Sequence, residues 1–257
     1  MPAWDAELYL QFANERNQPS LDLIARLADL QPRRVVDLGC GPGNSAALLR
    51  RRWPDAAILG LDNSPAMIAA ARKSDPAIRW ELADAATWRS PEPFELVFSN
   101  AVLHWIPRHA EVVARWFELV APGGALAIQL PAYHHGPLHQ RVALEAADDP
   151  AWRDRMRSAT TALTVETPGF YYDQLAPIAA RFAIWETEYR HVMDGPEAIL
   201  KWVSGTGLRP FLECLPDESE RRRFEAMLVD GYRRVFPAQT DGRILFPFRR
   251  LFIIARR

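Results

Sequence analysis

Glycines and acidic residues in the first quarter of the chain have the types and spacing of a nucleotide-binding turn. Three glycines alternate with other residues in 35–45, VVDLGCGPGNS, directly after a short apolar run. Glycines there permit a tight turn and leave no side chain between the backbone and a ligand. Asp62 ends the next apolar run, where an acid can accept two hydrogen bonds from the hydroxyl groups of a ribose. The pattern therefore predicts a site for a ribose-containing ligand.

Two further residues bear on which ligand this is. Asn44 occupies the place of the last glycine or alanine of the dinucleotide pattern G-x-G-x-x-G, and Asp37 lies just before the first glycine. A carboxylate is unfavourable beside a pyrophosphate because like charges repel, whereas it suits a cationic amino-acid group. These features favour a nucleoside with an amino-acid tail, and a nicotinamide dinucleotide remains the alternative at this point.

The elements that position these residues alternate between strand and helix over residues 34–130. Short apolar runs predict strands at 34–39, 56–62, 78–84, 94–100 and 125–130. The segments between them predict helices at 45–53, 64–73 and 111–120, the first of them capped by Asn44 or Ser45. Buried strands joined by crossover helices predict an α/β fold with a doubly wound, mostly parallel sheet.

Ligands of such sheets lie at the carboxyl ends of the strands. The third predicted strand ends at Asp84, followed by Ala85, and the fourth ends at Asn100, followed by Ala101. The carboxylate of Asp84 can accept a hydrogen bond from an adenine amino group, and the alternative role for this side chain is to cap a helix or a turn. The sequence thus predicts that one ligand contacts the ends of the first four strands in order.

After Pro131 the alternation of strand and helix stops. The predicted elements there are a helix at 171–181, a strand at 182–193, mostly helical segments at 195–235 and a final strand at 250–257. A helix around 9–16, ended near Pro19, is predicted to form a lid. The complete prediction is a seven-stranded, mostly parallel sheet with a helical cap inserted before the last strand. The predicted segments are the lid and first helix 1–30, the ligand-binding core 31–132, the rest of the core with a variable loop 133–193, the cap 194–242 and the final strand 243–257.

Composition excludes several classes of protein. The 257 residues carry 31 Lys and Arg against 32 Asp and Glu, a net charge of −1, which argues against a surface for nucleic acid or an anionic membrane. The best apolar stretch, 119–131, contains Pro122 and two glycines, so no membrane span is predicted, and the first residues lack the pattern of a secretory signal. Because Cys40 and Cys214 do not make a disulfide framework, we expect a cytoplasmic protein. We also expect no bound metal, and a monomer or a weak homodimer.

The glycine turn, the two acids at strand ends and the segment 119–128, LVAPGGALAI, together resemble the class I S-adenosylmethionine-dependent methyltransferases. This resemblance implies that S-adenosylmethionine is the cofactor, with its methionine part on the glycine turn, its ribose on Asp62 and its sulfonium beside Asn100. The role of Gly43 stays open between ligand contact and close packing of helix on strand. The residues that the resemblance implies in cofactor binding are Asp37, Gly39, Gly41, Asp62, Asn63, Met67, Asp84, Ala85, Asn100, Ala101 and Trp105.

Longer segments resemble one family within this class, the trans-aconitate 2-methyltransferases. These segments are WDAELYLQFANERNQPSLDLIARL at 4–27, RRWPDAAILGLDNSPAMIAAAR at 51–72, WVSGTGLRPFLECL at 202–215 and RILFPFRRLFIIARR at 243–257. The resemblance implies methyl transfer from S-adenosylmethionine to one carboxylate of trans-aconitate, which gives a monomethyl ester. Residues 133–168 take no part in this resemblance.

A tricarboxylate such as trans-aconitate needs several hydrogen-bond donors, and the forked guanidinium group of arginine suits carboxylates best. Only two of the 31 basic residues are lysines, a bias that GC-rich codons explain as well as function does. The predicted substrate-binding residues are Arg209 in the cap segment, Arg16 on the lid helix, Arg249 before the last strand, and the aromatic residues Tyr9 and Trp202. Arg250 is the alternative to Arg249, and Phe12 and Trp105 are further aromatic residues that can exclude water.

The implied reaction needs no general base, because a carboxylate is already ionised at neutral pH. We therefore predict no catalytic residue in the strict sense, only residues that position the reactants. We further predict that arginines bind the two carboxylates that do not react and leave the attacking one weakly bound. The alternatives are a methyltransferase for another small acid, a phenol or a quinone, a nicotinamide dehydrogenase, and a nucleotide-binding module without chemistry.

Overall fold

The computed structural model describes residues 13–257, with side chains from Glu15 onwards, so the predicted contacts of Tyr9 and Phe12 lie outside the described residues. The strands of this part are β1 Arg34–Leu38, β2 Ala57–Asp62, β3 Arg79–Leu82, β4 Phe94–Asn100, β5 Val120–Pro131, β6 Arg181–Met193 and β7 Ile244–Arg256. The α-helices are α1 Ala13–Ala25, α2 Asn44–Arg52, α3 Pro65–Ser74, α4 His109–Glu118, α5 Leu138–Ala147, α6 Arg153–Met156, α7 Pro168–Leu175, α8 Pro196–Ser204, α9 Arg209–Glu213 and α10 Glu218–Val235. None of these described helices is long and apolar enough to span a membrane.

The strands form one seven-stranded sheet with the order β3-β2-β1-β4-β5-β7-β6. The first five strands pair in parallel, and β7 runs antiparallel to β5. Strands covered on both faces are mostly apolar, and Val35, Val36 and Leu38 of β1 are accordingly buried. The predicted fold class, a doubly wound and mostly parallel sheet, is confirmed.

The register of the strands brings selected polar residues to one face of the sheet, because paired residues on neighbouring strands point the same way. Asp37 pairs with Gly60, two residues before Asp62, and with Phe98, two residues before Asn100. Asn100 pairs with Gln129, and Pro131 pairs with Arg250. The polar residues on this face, near the carboxyl ends of the parallel strands, are Asp37, Asp62, Asn100, Gln129 and Arg250.

Several boundaries differ from the prediction. Helix α1 runs through Pro19 rather than ending near it. A proline inside a helix removes one backbone hydrogen bond, and here the burial of Leu23 and Ile24 in the next turn compensates for that loss. Helix α7 ends at Leu175 and is shorter than the predicted 171–181. Strand β7 begins six residues before the predicted start at 250, because its first half alternates between buried and exposed residues and so lacks the continuous apolar run of its second half.

The chain divides into two compact units. The sheet unit comprises 13–131, 165–187 and 250–257, and the cap unit comprises 132–164 and 188–249 among the described residues. The predicted cap, 194–242, lies inside the cap unit, while the segment 132–164, which the sequence assigns to the core, groups with the cap as well. The reason is packing within the cap unit. Helix α5 lies against α10, and the ring centroids of Trp152 and Phe224 are 5.2 Å apart.

Candidate active site

Two glycines of the turn after β1 are required by packing of the protein on itself. Gly39 has a φ of +72°, and a Cβ there would lie 2.3 Å from the side chain of Val102. Gly43 has a φ of +98°, and a Cβ there would lie 2.9 Å from the ring of Trp80. Both distances are far below van der Waals contact. For Gly43 the packing interpretation is therefore confirmed.

Gly41, between these two glycines, lies beside open space. Its φ is +55°, and no atom of the described residues lies within 4 Å of a Cβ placed on it. Its amide donates a hydrogen bond to Oδ2 of Asp62 at 3.0 Å. The turn is thus held from one side by the second strand and leaves room for a ligand at its tip.

The carboxylate of Asp62 joins the glycine turn to the start of α3. Besides the amide of Gly41, the amide of Ser64 donates to its Oδ1 at 2.9 Å. Burial raises the pKa of Asp62, and these backbone hydrogen bonds oppose the rise. A carboxylate oxygen can accept more than one hydrogen bond, so both oxygens of Asp62 can still accept a hydrogen bond from a ribose hydroxyl.

Asp37 is a buried acid, 0% exposed, directly below the turn. The hydroxyl of Ser45 donates to its Oδ2 at 2.6 Å, while Oδ1 has no hydrogen-bond partner within the described part of the chain. Burial raises the pKa of Asp37 to about 7, and the hydrogen bond from Ser45 limits that rise. The prediction that Asn44 or Ser45 caps α2 was wrong, because Gly43 is the cap residue and the Ser45 hydroxyl is used for Asp37. An unsatisfied carboxylate oxygen in this position suits a cationic group.

Asp84 caps a turn, which is the alternative role that the sequence predicts for this side chain. The amide of Ala86 donates to its Oδ1 at 2.9 Å, and the carboxylate is otherwise exposed. The carbonyl of Ala85 accepts a hydrogen bond from the indole of Trp116 at 2.8 Å. Contact of Asp84 and Ala85 with an adenine stays a prediction.

Asn63 and Met67, two residues predicted to bind the cofactor, differ in exposure. Asn63 is exposed at the end of β2. Met67 is buried on α3, and its amide lies 3.4 Å from the cap hydroxyl of Ser64. The burial of its side chain indicates a packing role.

The end of β4 carries backbone strain. Ala101 has a φ of +57°, a left-handed conformation that costs a residue other than glycine about 1–2 kcal/mol. Its amide donates to the carbonyl of Gln129 at 2.8 Å, which holds the strained turn against β5. The side-chain Oδ1 of Asn100 is buried and has no hydrogen-bond partner among residues 13–257. Trp105, on the 3₁₀ turn that follows, is partly exposed, and its ring centroid lies 5.1 Å from that of His104.

Gln129 and Arg250 are buried at the same edge of the sheet, 1% and 7% exposed. Burial, and after it the positive charge of Arg250, lowers the pKa of His104 to about 3, so this imidazole is neutral at pH 7. The sequence prediction missed Gln129, although a glutamine inside the apolar run ALAIQL (125–130) is a recognisable signal. The site therefore combines a buried cation with neutral donors.

The remaining predicted substrate residues lie in different surroundings. Arg249 points to the face opposite Arg250 and pairs with Glu188 at 3.4 Å, while Arg250 lies on the face that carries Asn100 and Gln129. Contact of either arginine with a substrate stays a prediction. Arg209, on α9, pairs with Glu213 at 2.8 Å. Trp202 is 1% exposed in the core of the cap unit, which indicates packing rather than contact with a substrate.

Arg16 is buried on α1, the helix that packs on α2 and β5 within the sheet unit. Contact of Arg16 with a carboxylate of the substrate stays a prediction.

The residues at the strand ends fit S-adenosylmethionine. The open space beside Gly41 admits a ligand, the unsatisfied oxygen of Asp37 can pair with an amino group, and Asp62 can accept from a ribose. A dinucleotide would place a pyrophosphate near Asp37 instead. The donor set therefore favours the nucleoside with an amino-acid tail.

Comparison with known proteins agrees with this fold. A family model described as a methyltransferase domain matches residues 35–124. Solved structures with a similar fold include the YcgJ protein from Bacillus subtilis, 14% identical with a TM-score of 0.59 over 93% of this chain and 97% of that one. Another is the phosphoethanolamine N-methyltransferase 2 of Haemonchus contortus in complex with S-adenosyl-L-methionine, 16% identical with a TM-score of 0.56 over 93% of this chain and 52% of that one.

Curated relatives match over the whole chain. The trans-aconitate 2-methyltransferase of Methylobacterium nodulans is 46% identical over 100% of this chain and 99% of its own length. That of an Azoarcus species is 43% identical over 100% of both chains. With this similarity and the class I methyltransferase fold, the chain belongs to the trans-aconitate 2-methyltransferase family and uses S-adenosylmethionine as its cofactor.

Proposed function

We propose that this protein transfers a methyl group from S-adenosylmethionine to a carboxylate of trans-aconitate and so forms the monomethyl ester. The observation that carries the proposal is the similarity, over the full length, to relatives that bear the name trans-aconitate 2-methyltransferase. The buried Arg250, on the same face of the sheet as Asn100 and Gln129, supports the proposal, since a tricarboxylate needs cationic partners.

On this proposal the cofactor lies across the ends of β1 to β4. The carboxylate of Asp37 pairs with its amino group, the turn at Gly39 and Gly41 contacts its methionine part, and Asp62 accepts from its ribose. Asp84 and Ala85 border the adenine. When bound, the cofactor supplies an electrophilic methyl group on a positively charged sulfur, beside Asn100, Ala101 and Trp105.

On this proposal Arg250, the alternative to Arg249 in the sequence prediction, binds the substrate. Its guanidinium is buried close to His104 and lies on the same face as Asn100, which borders the reacting methyl group on this proposal. A buried guanidinium can bind one carboxylate with two parallel hydrogen bonds. Arg16 and Arg209 are proposed as further partners of the other carboxylates.

The chemistry of the site matches a reaction without a general base. His104, a histidine at this edge of the sheet, is a very weak base because its pKa is lowered to about 3. An ionised carboxylate has no proton to give up, so this weakness costs the reaction nothing. What the protein contributes is alignment of oxygen, methyl and sulfur, which is worth on the order of 7–11 kcal/mol at most.

The proposed function is tested by incubating the protein with labelled S-adenosylmethionine and a panel of acceptors. We expect methyl transfer to trans-aconitate, a monomethyl ester detected by mass spectrometry, and much weaker transfer to simple phenols. Turnover of a phenol in preference to every polycarboxylate would reject the proposal, and so would a thermal shift with NAD but none with S-adenosylhomocysteine.

Cofactor affinity is expected to fall as the pH drops below about 7. Because the pKa of Asp37 is raised to about 7, part of this carboxyl is protonated near neutral pH and cannot pair with an ammonium group. Binding favours the anion, so the affinity for S-adenosylhomocysteine decreases by up to about tenfold per pH unit and binding releases protons. Isothermal titration calorimetry in buffers of different ionisation enthalpy measures both effects.

The free protein should show a second consequence of the same pKa. Since the folded value lies above the ordinary 3.8 of this carboxyl, its contribution to the free energy of unfolding is present at acid pH and is lost as the pH rises through about 7. Asp37→Asn should flatten both pH profiles. If the substituted protein keeps the full pH dependence of cofactor binding, Asp37 is not the group that pairs with the amino end.

A further inference from the structure

Gln129 is a buried amide whose side chain forms no hydrogen bond in the described structure. It is 1% exposed at the carboxyl end of β5, and neither its Oε1 nor its Nε2 has a partner among residues 13–257. An amide taken out of water without hydrogen bonds costs free energy, which a folded protein rarely tolerates without a functional reason. A bound molecule that reaches this side chain would supply the hydrogen bonds that residues 13–257 do not.

The neighbours of Gln129 indicate which bound molecule reaches its side chain. Its register partner on β4 is Asn100, whose Oδ1 also lacks a partner in the described part of the chain. On the other side, β7 places Arg250 on the same face, two register pairs further along. Gln129 therefore stands between the residue proposed to border the reacting methyl group and the cation proposed to bind the substrate.

We propose that Nε2 of Gln129 donates a hydrogen bond to the carboxylate of trans-aconitate that accepts the methyl group, while Arg250 binds a carboxylate that does not react. This inference rests on the proposed function. The reacting oxygen forms the bond to the methyl carbon as the electron pair of the carbon–sulfur bond stays on sulfur, and no proton is transferred. Gln129 is a positioning residue for the nucleophile.

A neutral donor is better suited to this task than a cation. A hydrogen bond from a charged group is roughly twice as strong as one between neutral groups, so an arginine on the reacting oxygen would stabilise its negative charge before the reaction. That charge is lost as the ester forms, so stabilising it raises the barrier. An amide fixes the direction of the oxygen and leaves most of its nucleophilicity.

The test compares Gln129→Met and Gln129→Leu with the wild type, and uses Gln239→Met, at an exposed glutamine of the cap unit, as the matched control. We expect kcat/KM for trans-aconitate to fall roughly tenfold in both Gln129 variants, mainly through kcat, with unchanged affinity for S-adenosylhomocysteine. We also expect the free Gln129 variants to melt at a higher temperature than the wild type, because an unsatisfied buried amide has been removed. A purely structural role would lower the melting temperature.

The outcomes separate this inference from the proposed function. If the wild type does not methylate trans-aconitate, the proposed function fails and the inference fails with it. If the wild type is active and both Gln129 variants match it within about twofold, the inference alone is overturned. Variants that melt lower than the wild type without ligands would also overturn it, since the amide would then stabilise the fold.

Discussion

Arg250→Met is expected to lower kcat/KM for trans-aconitate roughly 100-fold, and to leave the affinity for S-adenosylhomocysteine unchanged. The substitution removes a buried positive charge from the face that carries Asn100 and Gln129. Loss of one partner from a buried ion pair typically costs several kcal/mol, which is why the expected effect is large. Steady-state kinetics with trans-aconitate and calorimetric titration with S-adenosylhomocysteine measure the two quantities.

The adjacent residue provides the control for this experiment. Arg249→Met removes the same charge from the opposite face, where the side chain is exposed and pairs with Glu188. We expect activity within about twofold of the wild type, because exposed ion pairs contribute little. Equal losses in the two variants would mean that the effect is one of net charge and that Arg250 has no specific contact with the substrate.

A spectroscopic readout accompanies the kinetics. Since the positive charge of Arg250 contributes to the lowered pKa of His104, the pKa of that imidazole should rise in Arg250→Met. Titration followed by NMR of the histidine ring detects the change. An unaltered pKa would place the guanidinium too far from His104 for the arrangement described above.

Gly41→Ala is expected to abolish measurable binding of S-adenosylhomocysteine while the protein stays folded. No described atom surrounds a Cβ at this position, so the new methyl group enters the space proposed for the cofactor without disturbing the protein itself. The left-handed backbone, with a φ of +55°, costs an alanine about 1–2 kcal/mol of stability. Thermal unfolding with and without S-adenosylhomocysteine separates the two effects.

Two other glycines serve as references for Gly41→Ala. Gly123 also has a positive φ, +78°, and no described atom near a Cβ, so Gly123→Ala carries the same backbone cost outside the proposed site. We expect similar destabilisation and normal binding of S-adenosylhomocysteine. In contrast, Gly39→Ala should unfold the turn, because its Cβ would overlap Val102. Normal cofactor binding by Gly41→Ala would contradict the proposed location of the cofactor.

The sheet and the positions of the polar residues at its strand ends were predictable because both depend on local pattern. A strand that is buried on both faces is mostly apolar, and the residue at its end is set at the carboxyl edge of the sheet by the parallel topology. Asp62 and Asn100 could therefore be placed at that edge from their positions in the sequence alone. The hydrogen bond of Ser45 to Asp37 could not, because a serine near a helix start is as easily a cap.

The part of the site proposed for the substrate was less predictable, because it depends on which face of the sheet each residue of a strand occupies. In a strand apolar on both sides, adjacent residues such as Arg249 and Arg250 cannot be assigned to a face until the register is known. The start of β7 at Ile244 and its pairing with β5 show which face of the sheet each of the two arginines occupies. The grouping of 132–164 with the cap depends on contacts distant in sequence, which no local pattern encodes.

The place of β7 also sets the order in which the two halves of the site can form. The cofactor half joins residues close in sequence, from Asp37 to Asn100, and its strands are adjacent as the chain emerges from the ribosome. The strand that carries Arg250 follows the other six strands in the chain, and it must enter between β5 and β6. Because β7 can pair with β5 only after the cap unit has been synthesised, the nascent chain should form the site proposed for the nucleoside before the site proposed for the acid.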